Sequence, residues 1–227
     1  DNCGVAFIEL DQTDFIISEV GSNNVTLTVY DNNGNENTCV ATILVEDNIA
    51  PNSICQNVTA QLNSMGTATV TADMVDNGSN DASGIFSLSL NKTAFTCADI
   101  STNPNKVTLT VTDIYNNSSS CNATVTVQDL VPPVAACQSV TVQLNISGTV
   151  SITPAQVNNG STDLCGIANM TLNNSNFTCA NVGTNLVVLT VFDLYGNTST
   201  CSASVTVQDP IAPVAVCQNV TINLSNL

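Results

Sequence analysis

The sequence predicts an all-β chain built from tandem Greek-key β-sandwich modules. Three observations predict it. The chain repeats itself at steps of 82 and 80 residues, apolar residues alternate with Thr, Ser and Asn in short segments, and ten cysteines recur at fixed places in the repeat. Alternation at period two marks strands with one buried face, and turn residues roughly every 8–12 positions mark a sandwich.

The repeat is legible in its strings. CQNVTAQL at Cys55 recurs as CQSVTVQL at Cys137 and CQNVTINL at Cys217. VTLTVTD at Val107 recurs as VVLTVFD at Val187 and VTLTVYD at Val25, and ATVTVQD at Ala123 as ASVTVQD at Ala203 and ATILVED at Ala41. FTCA occurs at Phe95 and Phe177, and DLCGI at Asp163 matches DASGI at Asp81 and DNCGV at Asp1. Self-similarity at such a period is the signature of a tandem array. It places an incomplete repeat with only C-terminal strands at 1–49, complete repeats at 50–131 and 132–211, and the first strand of a further repeat at 212–227.

Within the second repeat the expected strands run in order. They pass through Val58-Ala60-Leu62, Ala68-Val70-Ala72, Phe86-Leu88-Leu90, Phe95, Val107-Leu109-Val111 and Ala123-Val125-Val127. A single helical turn is admitted at Ala72–Val75. The two-residue difference in period lies in ISTNPNKV against NVGTNLV, and insertions collect in loops between strands. Module boundaries fall at EDNIAP, QDLVPP and QDPIAP, where Pro51, Pro132, Pro133, Pro210 and Pro213 favour extended backbone.

Composition excludes several functions. The net charge is −16, and Lys92 and Lys106 are the only basic residues. Nothing can neutralise phosphates, so nucleic acid is excluded as a partner, and anionic membrane surfaces with it. No apolar run approaches the roughly 18 residues of a membrane span, so no membrane insertion is expected. The chain has no His and no C-x-x-C, so its cysteines read as disulfides and its compartment as extracellular or cell-surface. Without His there is no Ser–His or Cys–His device, and the acids recur in turns along the repeat, which an active site does not do. The chain is expected not to be an enzyme.

The pattern C-Q-x-V-T-x-x-L, D-x-C-G-I, F-T-C-A, T-V-x-D-x-x-G-N-x-x-x-C and V-T-V-x-D-x-x-A-P resembles the hyalin-repeat-like (HYR-like) modules of giant secreted surface proteins of Bacteroidetes-type bacteria. The resemblance covers the whole chain. It implies immunoglobulin-like sandwiches forming a rod, and it implies no catalytic residues. Ile17 and Ser83 stand where cysteines are expected, and Asn116-Asn117 stands where Gly-Asn is expected.

In such a sandwich the first and last strands run side by side, which pairs Cys55 with Cys121 and Cys137 with Cys201. The alternative pairs across the linkers, Cys39–Cys55, Cys121–Cys137 and Cys201–Cys217. Cys165 and Cys179 occupy both middle slots of the third repeat and form the expected third bond. Cys3 and Cys97 face non-cysteine positions and read as orphans, free or bonded between modules or chains.

Oxygen-rich turns and junctions place candidate Ca²⁺ ligands at Asp31, Asp47, Asp129, Asp193 and Asp209, although the same residues are ordinary turn chemistry. No other cofactor is expected. Asn-x-Ser/Thr sequons are frequent, with Asn57, Asn122, Asn169 and Asn219 as candidate glycan carriers. The expected function is that of a disulfide-stapled, semi-rigid spacer in an extracellular fibre or adhesin stalk. Its partners would be repeats of the same type in the same or neighbouring chains. The alternative is a module whose loops bind glycans or surface proteins, for which Tyr115, Phe192 and Tyr195 are the aromatic candidates. Register also leads to the expectation that the chain is a window of a longer repeat protein or one link of a fibre. Two copies joined head to tail would still lack the equivalent of Gly66–Asn80.

Overall fold

A computed structural model describes residues 2–223. The chain divides into two compact units, Asp1–Gln128 and Asp129–Leu227.

The first unit opens with β1 (Val5–Leu10), β2 (Gly21–Asp31) and β3 (Glu36–Val45), an antiparallel sheet in the order β1-β2-β3. The β2–β3 turn is closed by Asp31, whose Oδ1 accepts the backbone N–H of Asn33 and Asn35 at 2.8 Å each. Gly34 takes the positive φ of 88° that this turn requires.

A complete module follows. Its elements are β4 (Val58–Gln61), β5 (Thr67–Thr69), α1 (Ala72–Val75), β6 (Ile85–Leu90), β7 (Ala94–Thr96), β8 (Asn105–Asp113) and β9 (Ser118–Gln128). One sheet has the order β4-β9-β8-β6 and a second pairs β5 with β7. β4 runs parallel to β9 with Val58 opposite Val125, while the segment just before it bridges to Asp76 and Asn80. The opening chain thus bridges to the segment between α1 and β6 before it joins β9.

The second unit repeats this plan with β10 (Val140–Gln143), β11 (Thr149–Ser151), α2 (Pro154–Val157), β12 (Ile167–Leu172), β13 (Asn176–Thr178), β14 (Gly183–Asp193) and β15 (Thr198–Gln208), in sheets β10-β15-β14-β12 and β11-β13. Its core joins Ile152, Val157 and Phe177 to Val187, Leu189, Val191, Val205 and Val207 from β14 and β15. The first unit buries the same pattern, with Val70, Val75, Phe95, Val107, Leu109, Val111 and Val125 all fully enclosed.

One strand face departs from strict alternation. Phe86 was expected inward with Leu88 and Leu90, but it is 71% exposed. A bulge between Ile85 and Ser87 shifts the register against β8, so Ile85 replaces Phe86 on the inner face.

The two-residue insertion also has a structural solution. In the second unit, Gly183 extends β14 to lie opposite Val207. In the first, β8 begins later, and the Asn103 side chain fills the corresponding place. Its Nδ2 donates to Val127 O at 2.8 Å and its Oδ1 accepts from Val127 N at 2.9 Å. A carboxamide here completes the ladder as a peptide group would.

Candidate functional site

Disulfides close both complete modules at the same place. Cys55 is bonded to Cys121 and Cys137 to Cys201, each with Cα atoms 5.8 Å apart. The parallel register explains this. Val58 faces Val125 and Val140 faces Val205, so cysteines three and four residues earlier meet where the paired strands begin. In the chain-entropy account, closing loops of 66 and 64 residues stabilises each module by about 4 kcal/mol.

The middle cysteines behave differently from the expectation. No bond joins Cys165 to Cys179. Cys165 lies in the turn entering β12 of the large sheet and is disulfide-bonded, whereas Cys179 follows β13 of the small sheet as an exposed free thiol. Its Sγ lies 3.7 Å from Gly148 O, across a turn where Gly148 holds a φ of 69° and a Cβ would meet that sulfur at 2.7 Å. Cys97 is disulfide-bonded, which excludes the free-thiol alternative for it and leaves the bonded one. Cys3 is exposed ahead of β1, and its carbonyl accepts Asn32 Nδ2 at 3.1 Å.

Two of the five candidate calcium ligands, Asp31 and Asp209, lie outside the acidic groups found among the described residues. Asp31 closes its own turn, with Oδ2 also accepting Asn35 Nδ2 at 2.7 Å, and it joins no acidic cluster among the described residues. Asp209 is exposed and accepts Ile211 N at 3.0 Å. The other three lie in or beside carboxylate clusters. Asp47 meets Asp81 and Asp113, and Asp129 meets Asp163 and the Cys165 sulfur, with the ligand atoms of each group within 4.8 Å of one another. Because Cys165 is disulfide-bonded, its sulfur is not available as a thiolate, and the donors are oxygens. Asp193 stands outside that group of ligand atoms but near enough that its charge, like that of Asp163, disfavours ionisation of Asp129.

The two clusters share one construction. Asp113 and Asp193 end β8 and β14. Their Oδ1 atoms accept the N–H groups of Tyr115 and Asn117, and of Tyr195 and Asn197, at 2.8–2.9 Å. Asn117 Nδ2 and Asn197 Nδ2 then reach back to the carbonyls of Asp47 and Asp129, at 2.9 and 3.1 Å, and tie the incoming chain to the module. Asp81 and Asp163 sit at the D-x-x-G turn and accept N–H groups from Ser83 and Cys165. Asp113, Asp129 and Asp193 are buried, and one carboxylate oxygen each of Asp47 and Asp129 is enclosed without a hydrogen-bond partner. Burial, with Asp163 and Asp193 beside it, pushes the Asp129 carboxyl above the usual range. No lysine relieves these clusters, because Lys92 pairs with Asp99 and Lys106 borders a depression with Asn57 and Asn122. Converging desolvated carboxylates with a spare oxygen suit a hard divalent cation. Asp81, Asp113 and Asp163 are cluster members that the sequence reading did not name, although their recurrence in the D-x-x-G and T-V-x-D strings was the signal that could have found them.

The candidate glycan carriers Asn57, Asn122, Asn169 and Asn219 are all exposed. Asn57, Asn91 and Asn122 border one depression of about 330 Å³ on the β4-β9-β8 face. Among the described residues no helix is long and apolar enough to cross a membrane.

No family model and no curated protein matches the chain. Among solved structures it is similar to the protocadherin gammaB7 EC3-6 cis-dimer, at 18% identity over 87% of this chain with a TM-score of 0.33; the match spans 60% of that chain. It is similar to mouse clustered PcdhgC3 EC1-3 at 12% identity, over 83% of this chain and 77% of that one, with a TM-score of 0.34. Sidekick-1 immunoglobulin domains 1-4 align at 9% identity, over 86% and 60%, with a TM-score of 0.37.

Proposed function

We propose that this chain is a structural segment of an extracellular fibre or cell-surface adhesin stalk, working as a disulfide-stapled, semi-rigid spacer of repeating modules near 50–131 and 132–211. One observation carries the reading. Both complete modules join their first and last strands by a disulfide and hold the incoming chain by the same Asn-to-carbonyl bond. Such a module resists extension at both points where a stretched chain would pull on it. The resemblance to hyalin-repeat-like surface modules agrees with this. Force spectroscopy on the chain tests it. Each unfolding step should lengthen by about 22 nm once reductant opens a locked loop, at about 3.4 Å per residue. Unfolding without a resolvable force peak would reject the reading.

The finer part of the proposal is calcium at the two clusters, with Asp47, Asp81 and Asp113 as one ligand set and Asp129, Asp163 and Asp193 as the other. The cation would neutralise the carboxylates and fix the incoming chain on its module. Titration calorimetry with CaCl₂ should show binding that D113N and D193N together abolish. An unchanged titration would remove calcium from the proposal.

A second reading, adhesion through loops, is favoured by the exposed apolar turn tips Ile114-Tyr115 and Leu194-Tyr195. Glycan-array binding lost in Y115A/Y195A would support it over the spacer.

A further inference from the structure

The two complete modules show what covers the last strand of the large sheet. β9 and β15 each take a parallel neighbour, β4 and β10, drawn from a C-Q-x-V-T segment. β3 is their counterpart in the first sheet, because Leu27 faces Cys39 as Leu109 faces Cys121. Yet β3 is the outer strand of its sheet, with no neighbour beyond it among the described residues. Burial differs as well, in a sheet that also lacks, among the described residues, the facing two-stranded pair of the complete modules. Ala123 and Val125 are enclosed, while their counterparts are open, Ala41 being exposed and Ile43 half-buried. A depression of about 490 Å³ beside the start of this strand is bordered by Val5, Val29 and Cys39 together with polar residues that include Asp31 and Glu36.

One further C-Q-x-V-T segment exists, CQNVTINL at 217–224. Through residue 223 it forms no strand, and its Val220 and Ile222 are 78% and 80% exposed. Cys39 and Cys217, the counterparts of Cys121 and Cys55, are both free, exposed thiols. The segment from Pro213 onward carries no charged side chain, so it brings no carboxylate of its own against β3.

We propose that β3 takes up the 217–224 segment of a second copy of the chain as a parallel strand, and that Cys39 and Cys217 then form an intermolecular disulfide. The register follows from the complete modules. Val220 lies opposite Ile43, Thr221 opposite Leu44 and Ile222 opposite Val45. Asn219 supplies the carboxamide that Asn57 supplies at β9, where its Oδ1 accepts Thr124 N at 2.8 Å; its partner on β3 is Thr42 N. The large sheet is completed in this way, while a strand equivalent to β5 is not supplied.

The bond forms by exchange with an oxidised disulfide such as glutathione disulfide. One cysteine thiolate attacks it and releases one thiol. The other cysteine then displaces the second, leaving Cys39–Cys217 and two reduced glutathione molecules. The inference does not depend on calcium or on the loop-adhesion reading.

The test uses the 227-residue chain in a glutathione redox buffer, with non-reducing electrophoresis and peptide mapping. The wild type should give a ladder of covalent multimers containing the Cys39–Cys217 peptide. Neither C39S nor C217S alone should give that peptide, and their equimolar mixture should stop at a dimer. I222D, which places a charge on the inward face of the donated strand and leaves every cysteine in place, should slow the bond at least tenfold. The proposal is overturned if the Cys39–Cys217 peptide comes only from monomer, if Cys39 pairs at comparable rates with Cys179, or if I222D cross-links at the wild-type rate. None of these outcomes bears on the force measurement.

Discussion

Asp129 is the residue whose chemistry is most exposed to test. Its carboxyl is buried, faces Asp163 and Asp193, and has its pKa raised chiefly by desolvation. A raised folded value means that the group favours the native state when protonated and loses that contribution as pH rises through the folded value. In a chelating buffer, acidifying from neutrality should therefore raise the melting midpoint of the second unit. Calcium at one hundred times its dissociation constant should add about 2.7 kcal/mol. D129N should stabilise the chelated second unit by a few degrees, about 4 °C or less, and should lose most of the calcium increment. Calorimetric scans with calcium or chelator decide both. Asp76 and Asp99 in the first unit have the opposite sign. Their values are lowered from 3.8 by bonds from Ser79 and Lys92, so their contribution is present above that value and is lost as pH falls below it. Asn117 and Asn197 yield a separate expectation. Both are sequons, but each Nδ2 already donates twice, to a main-chain carbonyl and to an Asp carboxylate. If the chain is expressed in a glycosylating host, peptide mapping should find both bare while the exposed Asn122 is open to modification.

At the scale of elements, burial rather than hydrophobicity decides which residues matter. Phe95 and Phe86 are close in sequence and identical in chemistry, but Phe95 is fully enclosed on β7 and Phe86 is turned outward by the bulge in β6. Phe95→Ala should cost about 3–5 kcal/mol, while Phe86→Ser should stay within about 0.5 kcal/mol in urea denaturation. The staples belong to this scale as well. Removing Cys137 and Cys201 together as serines should lower the stability of the second unit by about 4 kcal/mol. The strands themselves were legible, because period-two alternation through Val107-Leu109-Val111 or Ala123-Val125-Val127 has one physical reading. The bulge was not, because a single inserted residue leaves the apolar pattern of β6 intact and only changes which member faces inward. Asn103 was hidden for a similar reason. Its string looks like an ordinary turn insertion, and only the position of Val127 reveals that the side chain completes the ladder.

Across the whole molecule, one plan is used twice in full, and a further three-stranded sheet, β1-β2-β3, carries its last strand uncovered among the described residues. The same cysteine pair therefore closes a module at β4–β9 and β10–β15 and stands open at Cys39 and Cys217. The force measurement belongs here. Reduction should lengthen the unfolding steps of both complete modules equally, because their locked loops differ by only two residues.

Sequence alone determined the period, the all-β class and the absence of cations to balance the acids. These depend on residue identity and spacing along the chain. It also marked Asp47, Asp129 and Asp193 as oxygen donors from their place in turns and junctions. Only the tertiary structure decided that Asp81, Asp113 and Asp163 join them and that Asp31 and Asp209 do not. It alone decided that Cys179 stands apart from Cys165. A cluster or a disulfide requires atoms from separate elements to meet within a few ångströms, and sheet order and register set that distance, not separation along the chain.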